Sequence, residues 1–218
     1  MKVRIEVTYK TPKKTEIFFK SEEMTIGEAL LISDDLEKTG RAKNLTFIDT
    51  YDTTWKRKDL QKYMDDLETE PHDITVYFDG GFNIEDRKSG LGCSIYYDQN
   101  GKSMRLRKNA AVEELASNNE AEYAALHLAL QELDLLGVHH IPVLFIGDSQ
   151  VVINQLNDEW PTMEPSLNDW AERIEKKIEQ MGISPTFEVI SRKDNREADR
   201  LATQALKGTE VTSNTERK

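Results

Sequence analysis

From Ile74 onward the spacing of apolar residues switches from strand-like runs to helical periodicity and back, and that succession limits the folds open to this chain. Ile74 to Phe78, Gly90 to Tyr97 and Ser103 to Arg107 read as three strands, the last two joined by a hairpin turn at Gln99-Asn100-Gly101. A long apolar-periodic helix follows from about Asn119 to Leu136 and stops at Gly137. Val143 to Ile146 is wholly apolar, as expected of a strand buried on both faces. Ser149 to Leu156 and Ser166 to Met181 suit helices, Thr186 to Ile190 a strand, and Asn195 to Leu206 a last helix. This order predicts an α/β fold, a five-stranded mixed sheet with helices on both faces.

The residues before Ile74 follow a separate pattern. Val3, Ile5, Val7 and Tyr9 alternate as in a half-buried strand, Thr11-Pro12-Lys13-Lys14 reads as a turn, and Ile17 to Phe19 as the returning strand. Thr25-Ile26-Gly27-Glu28 has capping-box spacing and opens a helix carrying Ala29, Leu30 and Leu36 that stops near Gly40. Leu45 to Ile48 suits a strand, and Lys56 to Leu67 a polar helix. The expected organisation is a small α+β domain over residues 1–68, a polar, Pro71-containing linker at 69–73, a second domain at 74–207, and a frayed polar tail at 208–218.

Composition narrows the function classes. Nothing approaches the ~18 apolar residues of a membrane span, so no membrane association is expected. The start, Met1-Lys2-Val3-Arg4-Ile5-Glu6-Val7, lacks the apolar run of a signal peptide, so export is not expected. Cys93 stands alone, which fits a reducing cytoplasm and a small buried hydrophobe. The formal net charge of −11 argues against broad, non-specific adhesion to nucleic acid and predicts weak or metal-dependent substrate binding.

Four acids fall in distinctive settings. Asp79 is expected to end the first strand before a sharp turn at Gly80-Gly81; Glu122 lies in the first turn or so of the long helix. Asp148 ends the apolar strand, and Asp199 sits in the first two turns of the last helix. Carboxylates at strand ends and early helical turns can converge on one edge of an α/β sheet. Their hard oxygens suit Mg²⁺ or Mn²⁺. Without a cation such a cluster is costly, because like charges raise one another's pKa. Each acid also has a plain reading: Asp148-Ser149 can cap the next helix, and a lone helical Glu122 or Asp199 can be a solvated charge.

The stretches Phe78-Asp79-Gly80-Gly81, Gly90-Leu91-Gly92, Ser117-Asn118-Asn119-Glu120-Ala121-Glu122, Gly147-Asp148-Ser149-Gln150 and Asn195-Arg196-Glu197-Ala198-Asp199-Arg200-Leu201-Ala202 together resemble type 1 ribonuclease H. The resemblance runs from residue 74 to about 206. It implies a ribonuclease H-like fold with Asp79, Glu122, Asp148 and Asp199 as catalytic metal ligands for Mg²⁺ or Mn²⁺, two ions with substrate bound. The implied reaction is two-metal, endonucleolytic hydrolysis of the RNA strand of an RNA–DNA hybrid, leaving 5′-phosphate. It further implies hybrid contacts by Gly80, Gly81, Asn118, Asn119, Gln150 and Asn195; Asn118 can equally cap the long helix.

This chain departs from that pattern in three places. The loop before the last acid, Ser191-Arg192-Lys193-Asp194, has no His; Arg192 is expected to contact the scissile phosphate instead, with slower turnover. His127 is expected to be structural, and His139-His140 are expected to sit in a loop with no acid or Cys partner nearby. Between Asp148 and Asp199, Trp160, Trp170, Arg173, Lys176 and Lys177 stand among many acids, so a basic grip on DNA is not expected and both Trp residues are read as packing. Residues 1–70 do not match the small hybrid-binding domain often fused at this position in the family. Trp55-Lys56-Arg57-Lys58 is their best nucleic-acid patch, though such a run is more commonly a solvated helix start; a homodimer or protein partner through this domain stays open. Two other readings remain. A 3′–5′ exonuclease ranks lower, because Gly81 stands where a second acid is needed. A catalytically weak or inactive nucleic-acid-binding or partner-binding module of the same fold is the non-enzymatic alternative.

Overall fold

The computed structural model describes residues 1–217, the side chain of Leu67 excepted. The chain divides into two units, Met1–Leu67 and Glu68–Lys218. In the first, alternating Val3, Ile5 and Val7 place one face of β1 (Lys2–Lys10) in a core with Phe47 and Leu60. β2 (Glu16–Lys20) and β3 (Met24–Thr25) both pair with β1, and α1 (Ile26–Lys38) follows at once. The capping box forms as its spacing predicts. Thr25 Oγ1 accepts the Glu28 N–H at 3.3 Å, and the Glu28 carboxylate accepts the Thr25 N–H at 2.9 Å. β4 (Ala42–Asp49), β5 (Thr54–Trp55) and α2 (Arg57–Thr69) complete the unit, with antiparallel strand order β2-β1-β4-β5.

Two residues of the Trp55-Lys56-Arg57-Lys58 run are engaged within the unit, and both lysines are exposed. The Trp55 indole N–H donates to Asp49 at 2.9 Å, and Arg57 pairs with Asp34 and Glu37.

The second unit opens with three long antiparallel strands, β6 (His72–Asn83), β7 (Lys88–Gln99) and β8 (Lys102–Glu113). Then come α3 (Asn118–Leu135), β9 (Pro142–Gly147), α4 (Gln150–Leu156), α5 (Pro165–Met181), β10 (Ser184–Val189), α6 (Arg196–Leu206) and β11 (Thr212–Glu216). β9 runs parallel to both β6 and β10, so the sheet is mixed, in the order β10-β9-β6-β7-β8-β11. Val76, Phe78, Ile95 and Phe145 face α3, whose Tyr123, Leu126 and Leu130 are fully buried. α6 packs on the opposite face. The α/β architecture expected from the sequence is therefore present.

Two expectations are corrected. The tail after Gly208 is not frayed: β11 adds a sixth strand against β8. The outer edge of β8 offers unpaired backbone groups, and the polar tail meets them with matching side chains. Arg107 donates to Ser213 and Lys108 to Thr212, while Asn109 accepts the Val211 N–H and donates to the Leu201 and Thr209 carbonyls. Such a strand carries no apolar alternation to reveal it.

Nor does Asp79 end its strand. β6 continues through Gly80 and Gly81, which pair with Leu91 and Gly90. These glycines do not serve a sharp turn. A Cβ on Gly80 would collide with the Ala121 carbonyl of α3, and one on Gly92 with the Ala198 carbonyl of α6. The missing side chains let a helix approach the sheet from each side.

No described helix is long and apolar enough to cross a membrane.

Candidate active site

Asp79 lies on β6, and Asp148 directly follows the parallel neighbouring strand β9, so both occupy one edge of the sheet. Ser149 then caps α4, its Oγ accepting the Val152 N–H at 3.4 Å. Close contact of α3 with Gly80 brings Glu122 over the same edge, where its carboxylate accepts the Gly80 N–H at 3.1 Å. The start of α6 is fixed to β6 by Asn195, whose amide donates to the Phe78 carbonyl at 2.8 Å. Asp199 follows one turn later.

Carboxylate oxygens of Asp79, Glu122 and Asp148 all lie within 4.8 Å of one another. Burial, with the charges of Asp148 and Asp199, pushes Asp79 up to about 7. Burial, with Asp79 and Asp148, pushes Glu122 up to about 9. Burial also raises Asp148, against the lowering effect of the Arg192 cation. One oxygen of Asp148, Oδ2, is buried without a hydrogen-bond partner. Three convergent hard oxygens, mutual repulsion and an unsatisfied buried acceptor together fit a hard divalent cation.

Asp199 faces the same cleft but is engaged differently. Arg192 donates to its Oδ1 from Nη2 at 2.8 Å and from Nε at 3.2 Å. The cleft, about 400 Å³, is lined by all four acids with Gly80, Gly81, Asn118 and Arg192. Asn118 also accepts the Phe82 N–H at 3.3 Å. Asn119 and Gln150 are not part of this lining, and Gln150 is exposed one residue beyond Ser149. Asn195 is 1% exposed, with its amide turned to the backbone.

The cleft also includes Ser149, which the sequence marks only as a helix cap within the Asp148 motif, and Phe82, Thr203 and Leu206, to which it assigns no site role. Thr203 had a signal, since it follows Asp199 by one helical turn. Phe82 has none, because the sequence pattern ends β6 at Asp79. Away from the cleft, His127 packs edge-on against Trp170, over which Arg173 also lies. Burial, with the Arg173 and Lys177 cations, lowers the His127 pKa. His139, expected to lack an acid partner, lies 3.7 Å from Asp134. Trp170 is a packing residue, whereas Trp160 is 46% exposed.

A family model described as Reverse transcriptase-like matches residues 77–205, more than half the chain and the span that carries all four acids. The chain belongs to the ribonuclease H-like family.

Ribonuclease HI of Halobacterium salinarum is 36% identical over 134 residues, covering 61% of this chain and 64% of that protein. The solved RNase H1 of the same archaeon superposes with a TM-score of 0.53 at 26% identity, over 62% of this chain and 98% of that one. LC11-RNase H1 in complex with an RNA/DNA hybrid gives a TM-score of 0.56 at 27% identity, over 62% of this chain and 98% of that one. Uncharacterized protein YpeP of Bacillus subtilis (strain 168) is 43% identical over 198 residues, 91% of this chain and 87% of that protein. That match extends into Met1–Leu67, so this relative shares the first unit as well as the ribonuclease H-like one.

Proposed function

We propose that this ribonuclease H-like protein is a metal-dependent endoribonuclease hydrolysing the RNA strand of RNA–DNA hybrids, leaving 5′-phosphate. The observation that carries the reading is the convergence of Asp79, Glu122 and Asp148 around the unpartnered Asp148 oxygen. The hybrid as substrate class is supported by the RNA/DNA hybrid held by LC11-RNase H1.

Asp79, Glu122, Asp148 and Asp199 would hold Mg²⁺ or Mn²⁺. When bound, the ions supply charge neutralisation, an activated water and stabilisation of the leaving oxygen. The protein's own part is positioning. The Gly80 N–H fixes the Glu122 carboxylate, and Asn195 fixes the helix that carries Asp199. Gly81 lines the cleft in which a nucleic-acid strand would lie. Asn118 lines the cleft and, with Asn119 and Gln150 beyond it, offers amides that can read a minor groove and a 2′-OH. Arg192, exposed at the rim, supplies the cation that meets the scissile phosphate.

A second reading, a binding module of the same fold with little or no turnover, draws on one observation: Arg192 neutralises Asp199. One experiment separates the two. A labelled hybrid blocked at its 3′ end is incubated with the full chain in Mg²⁺ or Mn²⁺, alongside Asp79→Asn and Asp148→Asn. Internal cuts by the wild type that vanish in both variants support the endonuclease. Binding without cuts in either metal favours the module, and cuts that survive both substitutions remove the site from the chemistry.

A further inference from the structure

β2 is hydrogen-bonded to β1 along one edge, and no described strand pairs with the other. All five of its residues are exposed, with Ile17 at 48%, Phe18 at 61% and Phe19 at 50%. An open edge with consecutive large apolar residues is a template for another strand. Two backbone bonds show which groups are free. Thr11 N–H donates to Thr15 C=O at 2.8 Å, and Ser21 N–H to Ile5 C=O at 2.9 Å. Along β2 the bonding direction alternates, so the odd-numbered residues between these points turn their amides to β1. Glu16, Phe18 and Lys20 turn theirs outward.

The sequence around Phe18 is complementary to itself when laid antiparallel. With Phe18 opposite Phe18 of a second copy, Ile17 meets Phe19, Glu16 meets Lys20, Lys14 meets Glu22 and Lys13 meets Glu23. This register sets outward amides against outward amides, so each such pair can exchange both backbone bonds. A slip of one residue sets outward amides against inward ones. A slip of two sets Lys14 against Lys20, or Glu16 against Glu22, and like charges directly opposite repel. Within each copy Glu16 already pairs with Lys10 at 2.8 Å, and Lys20 with Glu6 at 3.8 Å. Joined across the dyad, Lys10 and Glu16 of one copy and Lys20 and Glu6 of the other alternate in sign over four strands.

We propose that β2 is a homodimer contact, a two-fold antiparallel pairing centred on Phe18 that joins the first-unit sheets of two copies into one. The occupant is a second copy of this chain because the complementarity is internal to the segment, as an isologous interface requires. Five residues per strand make a small interface, which places the dissociation constant on the order of 1–100 μM.

The test is sedimentation velocity of the full chain from about 1 μM to about 500 μM, which brackets that range. Glu16→Lys and Lys20→Glu each weaken the dimer roughly tenfold or more, because each sets like charges opposite twice by symmetry. The double variant restores it, even though both pairs inside each copy, with Lys10 and Glu6, stay mismatched. Phe18→Cys forms a disulfide-linked dimer under mild oxidation, since directly opposite residues lie about 5.5 Å apart at Cα. Cys93 is buried and does not cross-link in the wild type. The Cys variant keeps the native charges, so it reads the contact even if a charge variant misfolds. A monomer throughout the range overturns the proposal and leaves the edge to a strand of another protein. A dimer indifferent to both charge reversals, or a Cys variant that does not cross-link, overturns it too.

Discussion

Arg192 donates from two nitrogens to a single oxygen of Asp199, so the fourth acid of the cleft is held by a guanidinium while the other three face one another. The charge-assisted pair divides the site into a trio that Arg192 influences only through space and one acid bonded to it directly. Under the function proposed above, the trio is the stronger ion site and Asp199 completes a second only after Arg192 turns away.

Arg192→Ala is therefore expected to act in two directions. Loss of the phosphate contact raises the KM for hybrid roughly tenfold or more, the scale of a charge-assisted hydrogen bond. Release of Asp199 raises affinity for the second ion, seen as a lower Mn²⁺ concentration at half-maximal rate. Steady-state kinetics across a metal titration check both; an unchanged metal midpoint would show that the ion pair does not gate Asp199.

Substitution of the trio should be more severe than substitution of Asp199. Asp79→Asn and Asp148→Asn are expected to reduce hybrid cleavage on the order of a thousandfold or more. Asp199→Asn should leave measurable activity in Mn²⁺. A gel assay with labelled hybrid ranks the three.

Metal and pH should be coupled. Burial and mutual repulsion push Asp79 up to about 7 and Glu122 up to about 9, both above ordinary carboxylates. The folded state thus holds extra protons between about pH 4 and these values, and the site's contribution to stability falls as pH rises through them. Mg²⁺ offsets the loss. It should raise the melting temperature more at pH 8.5 than at pH 6, by about 4 °C or more. Asp79→Asn should be more stable than the wild type at pH 8.5 without metal, and lose that advantage at pH 5. Calorimetry at the two pH values, with and without Mg²⁺, decides this.

Gly80→Ala should destabilise the ribonuclease H-like unit by about 2–4 kcal/mol, since the new methyl meets the Ala121 backbone and no rotamer relieves it. Glu122 would shift with α3, so activity should fall even at temperatures where the variant stays folded. Circular dichroism melts run beside the cleavage assay separate the two effects.

Ending the chain after Gly208 removes β11 and the Val211 N–H that Asn109 accepts. A melting temperature lowered by several degrees, and aggregation through the bared β8 edge, are expected. Light scattering during a thermal ramp measures both.

The α/β order, the capping box at Thr25 and the helix stop at Gly137 were legible because each depends on local spacing and backbone preference. The candidate acids were legible as motifs. β11 was not, because its pairing rests on the exposed β8 edge and not on any pattern of its own. The run of β6 past Asp79 was hidden for a related reason. Gly80-Gly81 means a turn to the local rules, and only the approach of α3 gives it another meaning.

By itself the sequence determined which side chains can bind a cation and which segments alternate or coil, since both follow from residue chemistry and short-range periodicity. Only the tertiary structure decided that Asp79, Glu122 and Asp148 meet within 4.8 Å while Asp199 is held by Arg192. Distances between residues far apart in the chain are set by how helices seat on the sheet, and no local pattern encodes them.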